Sequence, residues 1–325
     1  MTAHRLSGPA LLLVLASLAL ASLLAALASG SISLSPAELL AALTGEPGLG
    51  REVVFELRLP RAFGAFAVGG LLALSGALMQ VLLGNPLADP YVLGVSGGAA
   101  VGALLALLLG LAGLPVTAGA FLGALAATLL VFGLAGRGER SPTRLLLTGV
   151  VMAAGWGAVI NLLLALAPDA PLRGMLFWLM GDLSLVGAPG AGLLVLGLGL
   201  LLTLPVAGDL NLLARGELQA GALGVSVNGL RLHLYLVASL LTAAAVTLGG
   251  SIGFIGLLVP HLLRLVAGSD HRLLLPASVL AGGALLTAAD TLARTALAPQ
   301  QLPVGVLTAL LGVPVFLHLL ARGTR

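Results

Sequence analysis

Long apolar stretches alternate with short polar breaks along this chain, and the apolar stretches have the length of a lipid bilayer. A helix needs about 20 apolar residues to cross a hydrocarbon layer of roughly 30 Å at 1.5 Å per residue. Runs of that kind fall at about 9–29, 60–82, 92–112, 115–135, 145–167, 190–207, 232–249, 252–267, 273–296 and 303–321. Ten crossing helices are therefore expected. The seventh and eighth form one apolar stretch, divided at Gly249-Gly250-Ser251, where glycine lowers helix propensity and permits a tight reversal. Pro168, Pro171 and Pro189 bracket Leu172–Leu185, which is too short to cross and reads as a half-buried helix. His4 and Arg5 before the first run resemble the start of a signal peptide. That run is longer than the usual apolar region of such a peptide and a second span follows it, so the helix is expected to be retained.

Composition agrees with the pattern. Hydrophobic residues make up 59% of the chain and charged residues 8%, with a mean hydropathy of +1.15. A soluble domain carries about a quarter charged residues, so the surface here cannot face water throughout. The expected class is an all-α, polytopic membrane protein with residues 1–325 as a single transmembrane domain. Cysteine is absent, which removes disulfides, thiolate metal sites and cysteine nucleophiles. Lysine is absent too, so all 15 basic residues are Arg. A phosphate-binding loop of the form Gly-x-x-x-x-Gly-Lys-Ser/Thr cannot exist without it. If ATP drives this protein, another chain hydrolyses it. The high pI reflects few charges with Arg prevailing, and gives a nucleic-acid partner no support.

Arginine placement orients the spans. With the N-terminus cytoplasmic, the inner ends hold Arg5, Arg137, Arg140, Arg144, Arg215, Arg231, Arg264, Arg272, Arg322 and Arg325. The outer ends hold Arg51, Arg58, Arg61, Arg173 and Arg294. The imbalance favours both termini inside, and the outer arginines call for a reason.

Several polar signatures punctuate the spans in a fixed order. They are Leu57-Arg-Leu-Pro-Arg61, Gly76 to Gln80, Asn85-Pro-Leu-Ala-Asp-Pro90 and Leu93-Gly-Val-Ser-Gly-Gly-Ala99. Then come Trp178 to Gly181, Gly253-Phe-Ile-Gly-Leu-Leu-Val-Pro-His261 with Arg264, Asp270-His-Arg272, Leu302-Pro-Val-Gly305 and Leu307 to Phe316. Together they resemble the permease family of ATP-driven importers for iron-siderophore complexes, haem and vitamin B12, from about residue 50 to the C-terminus. The resemblance implies a permease of ten helices per subunit in a bacterial inner membrane, working as a homodimer with its pathway on the two-fold axis. It implies two ATP-binding cassette subunits below, carrying the ATP and Mg for which this chain has no site, and a periplasmic or lipid-anchored substrate-binding protein above.

The same resemblance assigns roles. Arg58, Arg61 and Arg294 would receive acidic residues of the binding protein, against the plainer reading of arginines at the lipid headgroups. Asn85 and Leu87 would form the cytoplasmic gate, whose prolines fix a turn in any case. Ser141 and Pro142 align with a second part of that gate, although Pro142 stands where a vitamin B12 importer of the family carries Thr. Residues 208–231 interrupt the apolar pattern with a helix, a glycine and a short helix. They resemble the family's coupling loop, with Arg215, Glu217, Ala222, Leu223 and Gly224 facing the ATPase.

Other polar residues support plainer readings. The five histidines show no i, i+4 pair of the kind that holds a helical metal site, so structural contacts are expected and no metal site is assigned. Asp290 is placed to pair with Arg294 at i, i+4. Gly98/Gly102 and Gly119/Gly123 have the small-xxx-small spacing of closely packed helices. No nucleophile–base arrangement or carboxylate pair is visible, so no catalytic residue is assigned. An ion- or proton-coupled secondary transporter is the rival reading. It calls for ionisable residues within the spans, and the span interiors hold almost none. The choice among siderophore, haem and cobalamin is not legible in the chain.

Overall fold

The computed structural model of the chain describes residues 7–30, 34–45, 48–135, 142–184, 186 and 188–323. Every regular element among them is helical. In chain order these are α1 (Gly8–Ala28), α2 (Pro36–Thr44), α3 (Leu49–Glu52), a π-helical stretch Val53–Arg58 and α4 (Leu59–Leu82). A 3-10 turn (Pro90–Leu93) follows, then α5 (Val95–Leu108), α6 (Leu114–Ala135), α7 (Pro142–Leu166), α8 (Asp169–Met180) and α9 (Gly190–Thr203). The remainder are α10 (Ala207–Leu213), α11 (Glu217–Ala222), α12 (Val227–Gly249), α13 (Ile255–Ala267), α14 (His271–Thr295) and α15 (Val304–Gly323).

Six helical stretches among the described residues are long and apolar enough to cross a membrane: α1, Leu49–Leu82, and the apolar bodies of α6, α7, α12 and α14. The pair α9–α10 passes the same test but bends by 66°. Pro205 lies at that bend, where it lacks the N–H that would continue the helix. α5, α13 and α15 are apolar but shorter. An apolar helix falls at each of the ten expected runs, but among the described residues only six, or seven with the bent pair, have the length to cross.

Two expectations shift. The short segment expected at Leu172–Leu185 is the helix Asp169–Met180. Pro168 is its N-cap and Pro171 sits in its first turn, where a missing N–H costs no helical bond, and Gly181 at φ +80 ends it. The polar stretch before α4 is also more structured than its pattern showed. Ser35 and Glu38 form a reciprocal capping box at the start of α2, with Glu38 N donating to Ser35 Oγ at 3.2 Å and Ser35 N to Glu38 Oε2 at 2.7 Å.

α4 is the central helix, buried almost throughout from Ala62 to Leu82. α9, α12, α13 and α14 pack around it, α1 packs on α14, and α5, α6 and α7 form a second group. Glycine sets the tightest seams. A Cβ on Gly102 would lie 2.0 Å from Gly119 O, and one on Gly123 2.1 Å from Gly98 O, so the small-residue spacing of α5 and α6 is a backbone-to-backbone contact. Gly69 meets Gly282 of α14, and Gly76 meets Gly256 of α13, in the same way. Such approaches maximise van der Waals attraction where the solvent is lipid and the hydrophobic effect no longer drives helix association.

α12 does end at Gly249, and Gly250 (φ +68) opens a non-helical passage that closes at Phe254 (φ +69). Gly250 and Ile252 are buried there, where backbone groups need a protein partner. Tyr91 supplies two: its hydroxyl donates to Ile252 O and accepts from Ile252 N, both at 3.0 Å.

Candidate gate, coupling face and outer arginine cluster

α4 runs from the end that carries Arg61 to the end that carries Gln80, and the chemistry concentrates at those two ends. At the Gln80 end the two most distinctive sequence signatures touch. Arg264 of α13 donates to Gln80 Oε1, while Gln80 Nε2 donates to Leu257 O at 3.2 Å and to Ala88 O at 3.5 Å. One buried amide therefore joins α4, α13 and the 83–94 loop.

That loop is stiff. Asn85 Oδ1 accepts from Leu87 N at 2.9 Å, and Asp89 Oδ1 accepts from Tyr91 N at 2.8 Å. Pro90 packs so closely on Gly256 that a Cβ there would lie 2.5 Å from the proline ring. Burial pushes the Asp89 carboxyl up to about 6, only partly opposed by the Tyr91 N–H. Burial also pushes the Tyr91 hydroxyl up, so it remains a donor. Asn85 and Leu87 line a small cavity of about 140 Å³ with Leu83, Val92, Thr143 and Leu146. The structure thus brings the expected gate loop against the first turns of α7. Ser141 lies outside the described residues, and Pro142 is the first residue of α7.

Beside this loop the polar segment folds as the helix–glycine–helix its sequence suggested. α10 and α11 are separated by Gly216 at φ +128. Glu217 at the start of α11 pairs with Arg231 of α12. Arg215, Ala222, Leu223 and Gly224 are exposed, and Gly224 adopts φ +88. Leu218, which sequence reasoning missed, is 91% exposed on the same short helix. A second missed residue is Asn211 of α10. Its side chain donates to Asp270 Oδ1 at 2.8 Å and accepts from His271 N at 2.9 Å, and its Oδ1 lies 2.7 Å from His271 Nδ1. The Asn211 amide and the Arg272 N–H hold the Asp270 carboxyl below its usual range. An asparagine in a polar loop carries no signal for this latch; only the fold brings residues 211 and 270 together. Arg215, Glu217, Arg231, Arg264 and Asp270 line a cleft of about 880 Å³.

The opposite end gathers the three outer arginines. Arg58, 4% exposed, donates to Leu27 O at 2.6 Å and Ala28 O at 3.0 Å. Arg294, 7% exposed, donates to Ala26 O. Arg61 grips Asp290 with Nε at 2.9 Å and Nη2 at 2.8 Å, and donates from Nη1 to Gln301 Oε1 at 2.8 Å. Asp290 does pair with Arg294 at i, i+4, but at 3.8 Å, and the cross-helix fork to Arg61 is the closer contact. The other outer arginines lie over aromatic rings one turn away, Arg51 over Phe55 at 5.7 Å and Arg173 over Phe177 at 5.8 Å.

Comparison with known proteins places this arrangement. The profile of the FecCD transport family matches residues 18–322. The vitamin B12 import system permease protein BtuC of Vibrio cholerae serotype O1 is 46% identical over 288 residues, 84% of each chain. The hemin transport system permease protein HmuU of Yersinia pestis is 44% identical over 277 residues, 82% of each chain. A solved structure of a metal-chelate type ABC transporter in an inward-facing conformation superimposes with a TM-score of 0.84 at 32% identity, covering 97% of this chain and all of that one. The ordered signatures, the helical bundle and these likenesses converge: this multi-pass membrane protein belongs to the FecCD transport family.

Proposed function

We propose that this chain is the membrane-spanning permease subunit of an ATP-driven importer that moves an iron chelate, haem or cobalamin into the cytoplasm. The observation that carries the reading is the meeting of Gln80 and Arg264 beside the 83–94 loop, which ties a gate-like turn to the same end of the bundle as α10 and α11. The likeness to a vitamin B12 permease and a hemin permease supports this cargo class. In this reading ten helices cross a bacterial inner membrane with both termini cytoplasmic, and two copies pair around the pathway. Asn85, Leu87, Ser141 and Pro142 of each copy close its inner end.

The exposed Arg215, Leu223 and their neighbours meet one of two ATPase subunits, which hydrolyse ATP because this chain lacks the lysine of a phosphate loop. A substrate-binding protein, periplasmic or lipid-anchored, delivers cargo to the face that carries Arg58, Arg61 and Arg294. Each partner shifts the balance of outward- and inward-open states through its differential affinity for them. Proteoliposomes containing the permease, its ATPase and its binding protein test the proposal. Uptake from a panel of ferric siderophores, haem and cobalamin should require ATP and persist without a proton gradient. Uptake that survives ATP depletion and collapses with the proton gradient would overturn it.

A further inference from the structure

A helix leaves its last four carbonyls without intrahelical partners, and in a bilayer such groups need donors from the protein. At the end of α1 the bond from Ser29 N is the last helical one, and arginines take up the next three carbonyls. Ala25 O accepts from Ser29 N at 2.9 Å. Ala26 O accepts from Arg294, and Leu27 O and Ala28 O accept from Arg58. One guanidinium comes from Arg58, the residue before α4, and the other from the end of α14, so α1 is capped jointly from two distant parts of the chain. Cations at a helix C-terminus also complement its dipole. The chain leaving α1 is shaped to this cap, since a Cβ on Gly30 would fall 2.8 Å from Arg58 Nη2.

Arg61 stands apart. Its side chain is 14% exposed against 8% for Arg294, and its hydrogen bonds go to Asp290 and Gln301 rather than to α1. It is gripped by Asp290, itself buried, and by Gln301. A guanidinium has five N–H groups, and this grip engages one on each nitrogen, so Arg61 is oriented while retaining N–H groups to offer.

We infer that the three outer arginines divide their labour: Arg58 and Arg294 are positioning residues that anchor the outer end of α1 to α4 and α14, and Arg61, aimed by Asp290, is the one that meets an arriving carboxylate. The second half rests on the docking reading above, whereas the first half stands without it. Arg58 and Arg294 are buried against the end of α1, so an acid would have to open that packing to reach them, whereas Arg61 is reached without disturbing that helix.

The experiment separates the two halves. The cysteine-free chain carries a single Ala26→Cys probe, buried against the cap, and peptide-resolved hydrogen exchange follows residues 20–30. Arg58→Met or Arg294→Met should raise maleimide labelling and exchange at the end of α1 by about tenfold or more, because buried carbonyls lose charged donors. Arg61→Met should leave both unchanged and instead slow association of the binding protein and flatten its salt dependence. If the α1 readouts do not move in Arg58→Met and Arg294→Met, the cap is refuted. If Arg61→Met leaves association untouched while the α1 readouts move as stated, the docking reading fails and the cap stands. Should the methionine variants not fold, the unmodified protein decides: its last α1 turn should exchange as slowly as the middle of that helix, and a frayed end overturns the cap.

Discussion

Gly76→Ala tests whether α4 and α13 touch backbone to backbone. The new Cβ would lie 1.9 Å from Gly256 O, with the carbonyl carbon at 2.5 Å and the Cα at 2.7 Å. Carbon–oxygen contacts of this kind relax at about 3.3 Å, so the two helices must part by roughly 1.4 Å at the crossing. No rotamer can absorb the strain, because the obstructing atoms are main chain. Overpacking of this sort costs about 1–3 kcal/mol. The Gln80 Nε2 bond to Leu257 O, one turn further along α4, already spans 3.2 Å and would open, adding about 1 kcal/mol. The total, about 2–4 kcal/mol, should lower the apparent melting temperature in detergent by on the order of 5 °C. Gly197→Ala provides the comparison, because nothing lies within 4 Å of its added methyl. In that helix position alanine should be neutral or stabilising by up to about 1 kcal/mol. Equal melting temperatures for the two variants would refute the contact.

Four further outcomes are expected. Burial holds the Asp89 carboxyl near 6, above the unfolded value of about 3.9, so the loop is most stable below about pH 4 and loses stability until about pH 6. Asp89→Asn should erase that slope in hydrogen exchange of residues 85–94, and an unchanged slope would show that another group titrates. Replacing Ala222-Leu223-Gly224 with Glu-Arg-Glu should abolish co-purification of the ATPase and ATP-driven uptake while the permease stays folded; retained uptake would remove α11 from the coupling face. Leu87→Cys in the cysteine-free chain should cross-link two copies when the inner gate is shut, and no cross-link in any nucleotide state would place the closure elsewhere. Asn211→Ala removes the tie between α10 and the start of α14, so protease nicking around residues 214–217 should rise several-fold; unaltered nicking would mean that the cleft, not Asn211, holds α10.

The apolar periods were a sound guide to where helices lie, because twenty-residue runs have few other structural uses. Gly249-Gly250 marked a reversal for the same reason that any glycine pair does. The capping box at Ser35 and Glu38 was equally written in the chain, yet it was hidden beside stronger apolar signals. Legibility ended where residues far apart in sequence meet. Asp290 has Arg294 four residues on, and local spacing predicted that pair; the fork to Arg61 depends on how α4 and α14 lie together. Arg58 likewise read as a surface cation, because no sequence pattern reveals that the end of α1 passes within reach of its guanidinium. The gate and coupling assignments came from family resemblance, and their geometry adds proximity: Leu87 lies near Thr143, and Arg215 borders the cleft that Arg264 lines.

Glycine-to-glycine seams also limit how this molecule can move. Where main chain rests on main chain, as between α4 and α13, α4 and α14, or α5 and α6, no side chains can switch rotamer to permit a slide. Those helices therefore travel as fixed blocks. Play is left to boundaries filled by longer side chains, such as α9 against α4 and α12, where Leu196, Leu241 and Leu248 occupy the space beside glycine. A transporter assembled this way resembles a hinge made from two stiff plates: its strokes are few, repeatable and set by where the soft joint runs.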